Sequence, residues 1–258
     1  MKTKTIAVAN EKGGVGKTVT VINLAAALTL ENKKVLVVDM DPQANATKGL
    51  GVESVEEGAS VYDLIQPNGG AAISDIIMPT SWPGLDLIPS HSDLAGAEVE
   101  LVDVEGRESL LAEALGKLPA GYDFVLLDTP PSLSLLTVNV FAYSRNVLIP
   151  CQTHPYAYGA LSELCDTVDA VQEEINPDIS ILGIVPTFYD IRTRVSQKVL
   201  SQLRSDERYK DMLFNTVIRS NTTIAESAAV GKPVVFYRSS SFGAVDYRDL
   251  AGELLSKN

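Results

Sequence analysis

Short apolar runs of strand length alternate along the chain with longer stretches of helical period. The runs Thr5–Ala9, Lys34–Asp39, Leu85–Ile88, Phe124–Asp128, Val147–Pro150, Ile181–Thr187, Phe214–Ile218 and Val234–Tyr237 predict strands. Helices are predicted over Thr18–Leu30, Glu105–Leu118, Leu135–Tyr143, Ala157–Ile175, Thr193–Arg204, Thr222–Val230 and Ala244–Leu255. This order builds βα units, and runs that are apolar throughout rather than alternating belong to strands covered on both faces. The pattern therefore predicts an α/β fold with a twisted, mostly parallel sheet of about eight strands and helices on both sides. Between about Gly49 and Pro83 the periodicity loosens, yet Val61, Leu64, Ile65, Ile73 and Ile76 recur there, which suits an elaborated connection holding a short helix. Without internal repeats or a Ser/Gly linker, residues 1–258 read as one domain.

Composition narrows the class. A chain of 258 residues can bury roughly 70–75% of its unfolded surface, enough for a core without disulfides or metals. Cys151 and Cys165 fall in no CxxC or CxxH spacing, which leaves no basis for a disulfide framework, zinc ribbon or iron–sulfur cradle. His91 and His154 are lone histidines, read as structural or solvent-exposed. The apolar run after the N-terminal lysines ends after about five residues, and no uncharged 18-residue window occurs, so a soluble cytoplasmic protein is expected. The net charge of −12 excludes a surface adapted throughout to nucleic acid or anionic membrane. That charge is uneven. Residues 50–130 hold 15 acids and two basic residues, Arg107 and Lys117, whereas residues 186–238 hold nine basic residues and five acids.

The candidate chemistry lies between the first strand and the first helix, at Glu11-Lys12-Gly13-Gly14-Val15-Gly16-Lys17-Thr18. A strand, a glycine-rich turn, Lys-Thr and then a helix direct backbone N–H groups and a helix N-terminus at a polyphosphate. Lys17 would reach the terminal phosphates and the Thr18 hydroxyl would ligate magnesium. The pattern GxxxxGK[ST] asks for Gly at position 11, where this chain has Glu; Gly16, Lys17 and Thr18 fit. Lys12 is not needed for the loop's shape, so a cation there suggests a second charge facing the phosphates. Carboxylates close the second and fourth predicted strands at Asp39, Asp41 and Asp128, the edge at which parallel sheets bind ligands.

Lys12–Thr18 resembles the deviant Walker A motif of the ParA/Soj family within the ParA/MinD superfamily. Val35–Thr47, with Asp39-Met40-Asp41-Pro42-Gln43-Ala44-Asn45-Ala46-Thr47, resembles the family's second signature, and Tyr122–Pro131 its Walker B strand. Further matches at Ile149–Gln152, Ala225–Ser227 and Gly231–Val234 extend the resemblance over essentially the whole chain. It implies a P-loop NTPase using ATP and Mg²⁺. It implies that Lys17 and the backbone of Gly13, Gly14, Val15 and Gly16, with Val19 beside them, hold the nucleotide. Thr18 would bind Mg²⁺ directly, Asp128 through a water, and Asp39 would support the metal from behind. Asp41 would orient the attacking water. Lys12 would reach across an ATP-sandwich homodimer to the second nucleotide, so that Lys12, Lys17 and Asp41 form the catalytic set. Arg219 and Asn221 fall where the family contacts adenine, with Arg219 standing where a proline is usual.

The resemblance also implies non-specific duplex DNA binding by the ATP-bound dimer, and hence association with the nucleoid, with Arg192 at one family position and Arg219 displaced by one from the other; the local basic charge of residues 186–238 adds Arg194 and Lys198 as candidate phosphate contacts. Release would follow ATP hydrolysis stimulated by a ParB-like centromere-binding or cargo adaptor protein with a basic N-terminal segment. The acidic stretch 50–130 is a candidate docking face, with Glu98, Glu100 and Asp103 as its test positions. From Asp246 onward the tail holds three acids against two basic residues and no tryptophan, which argues against a membrane-binding helix. Such a cycle would segregate or position a plasmid, chromosome origin or other cargo. Two alternatives stay open: a positioning ATPase acting on a protein scaffold, and a metabolic phosphoryl-transfer enzyme on the same fold.

Overall fold

The computed structural model describes residues 3–53, 55–56, 59–67 and 71–257. Among them one sheet contains β1 (Lys4–Val8), β2 (Val35–Asp39), β3 (Met78–Pro79), β4 (Leu85–Ile88), β5 (Phe124–Asp128), β6 (Asn146–Gln152) and β7 (Ser180–Thr187). The strand order is β3-β4-β2-β5-β1-β6-β7. Every pairing is parallel except β3 with β4. Around the sheet lie α1 (Lys17–Leu30), α2 (Asn45–Gly49), α3 (Val61–Leu64), α4 (Ile73–Ile76), α5 (Leu94–Glu100), α6 (Leu110–Leu115), α7 (Leu135–Tyr143), α8 (Ala157–Glu174), α9 (Arg194–Ser205), α10 (Thr222–Ala229), α11 (Val234–Tyr237) and α12 (Phe242–Ser256).

The apolar runs bury both faces of the sheet. On one face Ile6, Val8, Val35, Val37 and Leu126 pack with Leu24 and Leu28 of α1 and with Leu250 and Leu254 of α12. On the other, Ala7, Leu36, Val38, Val125 and Leu127 pack with Leu94, Leu111, Val140, Leu161 and Leu203 from α5 to α9. Successive strand residues thus enter different cores, as a period of two requires. No helix among the described residues is long and apolar enough to cross a membrane.

Among the described residues the sheet has seven strands; two of the expected strands, Phe214–Ile218 and Val234–Tyr237, are not in it, and β3 is added. Phe214–Ile218 runs beside β7, with the Phe214 N–H donating to Ile184 O (2.9 Å) and the Ile218 N–H to Pro186 O (2.8 Å). Between those bonds the Glu253 carboxylate takes the N–H groups of Asn215 (2.7 Å) and Thr216 (2.8 Å), so no continuous ladder forms. Val234–Tyr237 is a helical turn after Pro233, anchored where the Val234 N–H donates to Asn23 Oδ1 on α1 (2.7 Å). A four-residue apolar run fits either state, and packing decides. The helix expected from Glu105 begins only at Leu110, because the chain first turns through Gly106 at φ 73°. The loosely patterned stretch after Gly49 holds two short helices, α3 and α4, and the edge strand β3.

Candidate functional site

The register of the sheet brings three strand ends together. Val8 and Asp39 both pair with Asp128, so the loop after β1, the turn after β2 and the end of β5 share one crevice at the carboxyl edge. Here the chain leaves β1 for strands on either side, the position at which open parallel sheets bind ligands.

The loop from Ala9 to Gly16 is held on both flanks. Asn10 Nδ2 donates to Pro150 O on β6 (2.8 Å), and its Oδ1 accepts the Lys12 N–H (2.9 Å). Thr187 at the end of β7 donates to Val15 O (2.8 Å). Gly14 and Gly16 have φ of 74° and 95°, a left-handed backbone suited to glycine. Gly16 caps α1, and Lys17 and Thr18 open the helix with its N–H groups facing the loop. Gly13 and Gly14 are exposed, Val15 is buried and Lys12 half-buried.

Lys17 is buried, and its ammonium donates to Asn10 O (2.9 Å) and Lys12 O (3.3 Å). Burial lowers its pKa, against the opposing pull of Asp128 and Asp41. Asp128 is fully buried, and among the described residues neither of its carboxylate oxygens has a hydrogen-bond partner of regular geometry. Burial, then the Asp39 charge, raise its pKa well above the carboxylate range, while the Thr18 hydroxyl and Lys17 favour its charged form. A sealed, unpaired carboxylate beside a hydroxyl suits a hydrated divalent cation, which would supply the missing partners. Asp39 is turned to the protein: its Oδ2 accepts the Thr47 N–H (2.8 Å) and Oγ1 (2.7 Å), and its Oδ1 the Asp41 N–H (3.2 Å). Burial pushes its pKa up to about 6 despite those bonds. Asp41 accepts the Gln43 N–H on Oδ1 (2.9 Å) and feels the charge of Lys17.

Beside the loop lies an apolar cavity of about 210 Å³, bounded by Gly16, Val19, Phe188, Asn221, Ile224 and Tyr247 among others. The Phe188 ring closes one side, in contact distance of a side chain at Gly16 and on a backbone with φ of 51°. Asn221 caps α10 through the Thr223 N–H (2.8 Å). Arg219 also borders the cavity, but its guanidinium is paired with buried Asp246 and stacks 4.2 Å from the Phe242 ring.

A family model described as AAA domain (AAA_31) matches residues 3–181. Sporulation initiation inhibitor protein Soj of Bacillus subtilis (strain 168) is 43% identical over 97% of this chain and 98% of its own length. Chromosome partitioning protein ParA of Myxococcus xanthus (strain DK1622) is 39% identical over 98% of this chain and 88% of its own. The chain belongs to the ParA/Soj family of ATPases. Among solved structures, cobyrinic acid a,c-diamide synthase from Mycobacterium smegmatis with bound ADP and magnesium shares 35% identity at a TM-score of 0.84, over 98% of this chain and 94% of that one.

In this ParA/Soj ATPase the fold gathers Lys12, Gly13, Gly14, Val15, Gly16, Lys17, Thr18, Asp39, Asp41 and Asp128 at one edge, and Val19, Arg219 and Asn221 at the neighbouring cavity. The cations assigned to DNA divide. Arg192, Arg194 and Lys198 are exposed on and before the first turns of α9, with Arg192 paired to Asp190. The charge of Arg219 is already taken up by Asp246. Sequence reasoning missed Asn10, Thr47, Thr187, Phe188 and Tyr247. An asparagine opening a glycine-rich turn is a recognisable turn former, but Thr187, Phe188 and Tyr247 reach the site only through tertiary packing.

Proposed function

We propose that this ATPase forms an ATP-sandwich homodimer, binds duplex DNA without sequence preference in that state, and is released when a partner stimulates hydrolysis. In this reading it segregates or positions a plasmid, chromosome origin or other cargo on the nucleoid. The convergence of Lys17, Thr18, Asp41 and unpartnered Asp128 on one loop carries the reading. Lys17 and the loop amides would hold the phosphates, and Thr18 and Asp128 would hold Mg²⁺, which would supply neutralisation of phosphate charge. Asp41 orients the attacking water. Lys12 serves the second protomer's nucleotide, so turnover is slow until a dimer assembles. The apolar cavity suits the base, with Val19 and Asn221 at its wall.

Arg192, Arg194 and Lys198 lie within seven residues and are all exposed, which supports a phosphate-binding patch doubled by dimerisation. On the acidic side, Val99 and Val102 are 77% and 57% exposed among Glu98, Glu100 and Asp103. Apolar side chains ringed by acids suit a basic amphipathic segment of an adaptor protein.

The test is light scattering with ADP, with ATP, and with ATP on Asp41→Ala, then duplex added at low and moderate salt. A dimer and DNA retention that both require ATP are expected. A dimer indifferent to DNA would remove the DNA arm, and no ATP-driven dimer would leave Lys12 without its role. The similarity to a diamide synthase raises amide synthesis on the same fold; turnover that demands a small carboxylate substrate would establish that reading instead.

A further inference from the structure

Thr47 lies eight residues beyond the end of β2 yet meets it in space. Only 1% exposed, it donates both its N–H and its hydroxyl to one oxygen of Asp39, at 2.8 and 2.7 Å. The same hydroxyl accepts the N–H of Ser90, in the connection from β4 to α5, at 3.0 Å. It thus gives one hydrogen bond and receives one at a junction of three segments. The other oxygen of Asp39 accepts the Asp41 N–H, and the Asp41 carbonyl accepts the Ala44 N–H (2.8 Å). Ala44, at φ 53°, holds a left-handed turn that a non-glycine residue adopts only under constraint. A single chain of hydrogen bonds thus runs from Ser90 through Thr47 and Asp39 to the backbone of Asp41.

We infer that Thr47 is a positioning residue for ATP hydrolysis, acting through Asp39 to fix the Asp41 backbone. The inference rests on Asp41 being the residue that orients the attacking water. Both oxygens of Asp39 accept hydrogen bonds from protein N–H and O–H groups, so in this reading its part is to hold the turn. Threonine is the fitting residue because the β-methyl fills the buried site while the hydroxyl gives one hydrogen bond and takes another. Valine keeps the shape and removes both. Geometry of this kind bears on turnover and not on nucleotide affinity, because misplacing a water-orienting group raises the barrier without loosening the phosphates.

The experiment measures kcat and KM for ATP, with ATP-driven dimerisation and thermal midpoint, for Thr47→Val, Thr47→Ser, Asp39→Asn, the Thr47→Val/Asp39→Asn pair and Asp41→Ala. Expected for Thr47→Val is a fall in kcat of about tenfold or more, with KM within about twofold and the ATP-driven dimer retained. Thr47→Ser should stay within about twofold of the native kcat, and Thr47→Val should add nothing on the Asp39→Asn background. A merely structural role would lower the thermal midpoint without separating kcat from KM and without serine rescue. Native kcat in Thr47→Val while Asp41→Ala is inactive would overturn the inference alone. Native turnover in Asp41→Ala would overturn the reading of Asp41 and the inference with it. Thr47→Ala, which cannot crowd the site, carries the same expectation should valine prevent folding.

Discussion

Asp128 is the residue at which the cost of building the site is concentrated. Among the described residues its two oxygens have no hydrogen-bond partner of regular geometry, and burial holds its pKa well above the carboxylate range. Asp128→Asn should leave the protein without nucleotide at least as stable as the native chain, because a buried carboxyl that must ionise or take up a proton on folding is replaced by a neutral amide. The rise in thermal midpoint on adding Mg-ADP should shrink, since ligand stabilisation scales with affinity. Thermal unfolding with and without Mg-ADP checks both halves, and an undiminished shift would take Asp128 out of the metal site. Lys12 and Asp41 make separable predictions. Lys12→Ala should bind ATP but lose dimerisation or hydrolysis, whereas Asp41→Ala should keep ATP dimers and not turn over. Light scattering with phosphate release distinguishes them, and normal turnover in either variant would remove that role. The lysines and the Asp39–Asp41 pair are legible in the sequence because their spacing reflects chemistry. The left-handed turn at Phe188 is not, because nothing in its neighbours demands it.

At the level of elements, helix α12 contributes Tyr247 to the wall of the apolar cavity beside the loop. Asp246 accepts the Arg219 N–H (2.9 Å) and pairs with its guanidinium, and Tyr247 meets Thr20 of α1 hydroxyl to hydroxyl (3.4 Å). Asp246 is 5% exposed at its side chain and Arg219 38%, so solvent weakens one side of the pair. Asp246→Ala should therefore destabilise the fold by about 1–3 kcal/mol, chiefly by leaving the Arg219 N–H unpaired. It should raise KM for ATP, because the cavity wall loses its anchor; a falling midpoint with unchanged KM would confine Asp246 to stability. The two misread strands arise at this scale. Glu253 on α12 captures the amides that Phe214–Ile218 would need for a ladder, and Asn23 on α1 fixes Val234–Tyr237 as a helical turn. Neither competitor is adjacent in sequence to the segment it redirects.

For the molecule as a whole, two buried acids work against the fold at neutral pH. Asp39, pushed up to about 6 by burial, and Asp128, raised well above the ordinary carboxylate value by burial and then by the Asp39 charge, bind more protons folded than unfolded. Their stabilising contribution is complete below the ordinary carboxylate value and is lost as pH rises through the folded pKa. Glu253, lowered by its hydrogen bonds to Thr216 and Asn215, contributes with the opposite sign. Comparison of native and Asp39→Asn midpoints from pH about 4.5 to about 6.5 isolates the first term. The native protein should lose more stability than the variant as pH rises, and parallel curves would refute the burial account. The charge asymmetry predicts that DNA retention weakens steeply with salt. Arg194→Ala with Lys198→Ala should reduce the log–log slope by about 0.9 for each phosphate that is no longer neutralised. An unchanged slope would return α9 to an ordinary solvated face.

The sequence by itself determined the class of the molecule: apolar runs of strand length, helices of regular period, and a phosphate loop whose glycines and lysines follow from local backbone and charge requirements. It also placed acids at the ends of the second and fourth predicted strands, Asp39 and Asp128. The tertiary structure decided which acids do what. Asp39 and Asp128 look alike in sequence, each closing an apolar strand, and they pair directly in the sheet. Thr47 and the Asp41 amide satisfy Asp39, while among the described residues no hydrogen bond of regular geometry reaches Asp128. Hydrogen-bond satisfaction in a buried site depends on segments brought together by packing, and local pattern carries no record of it.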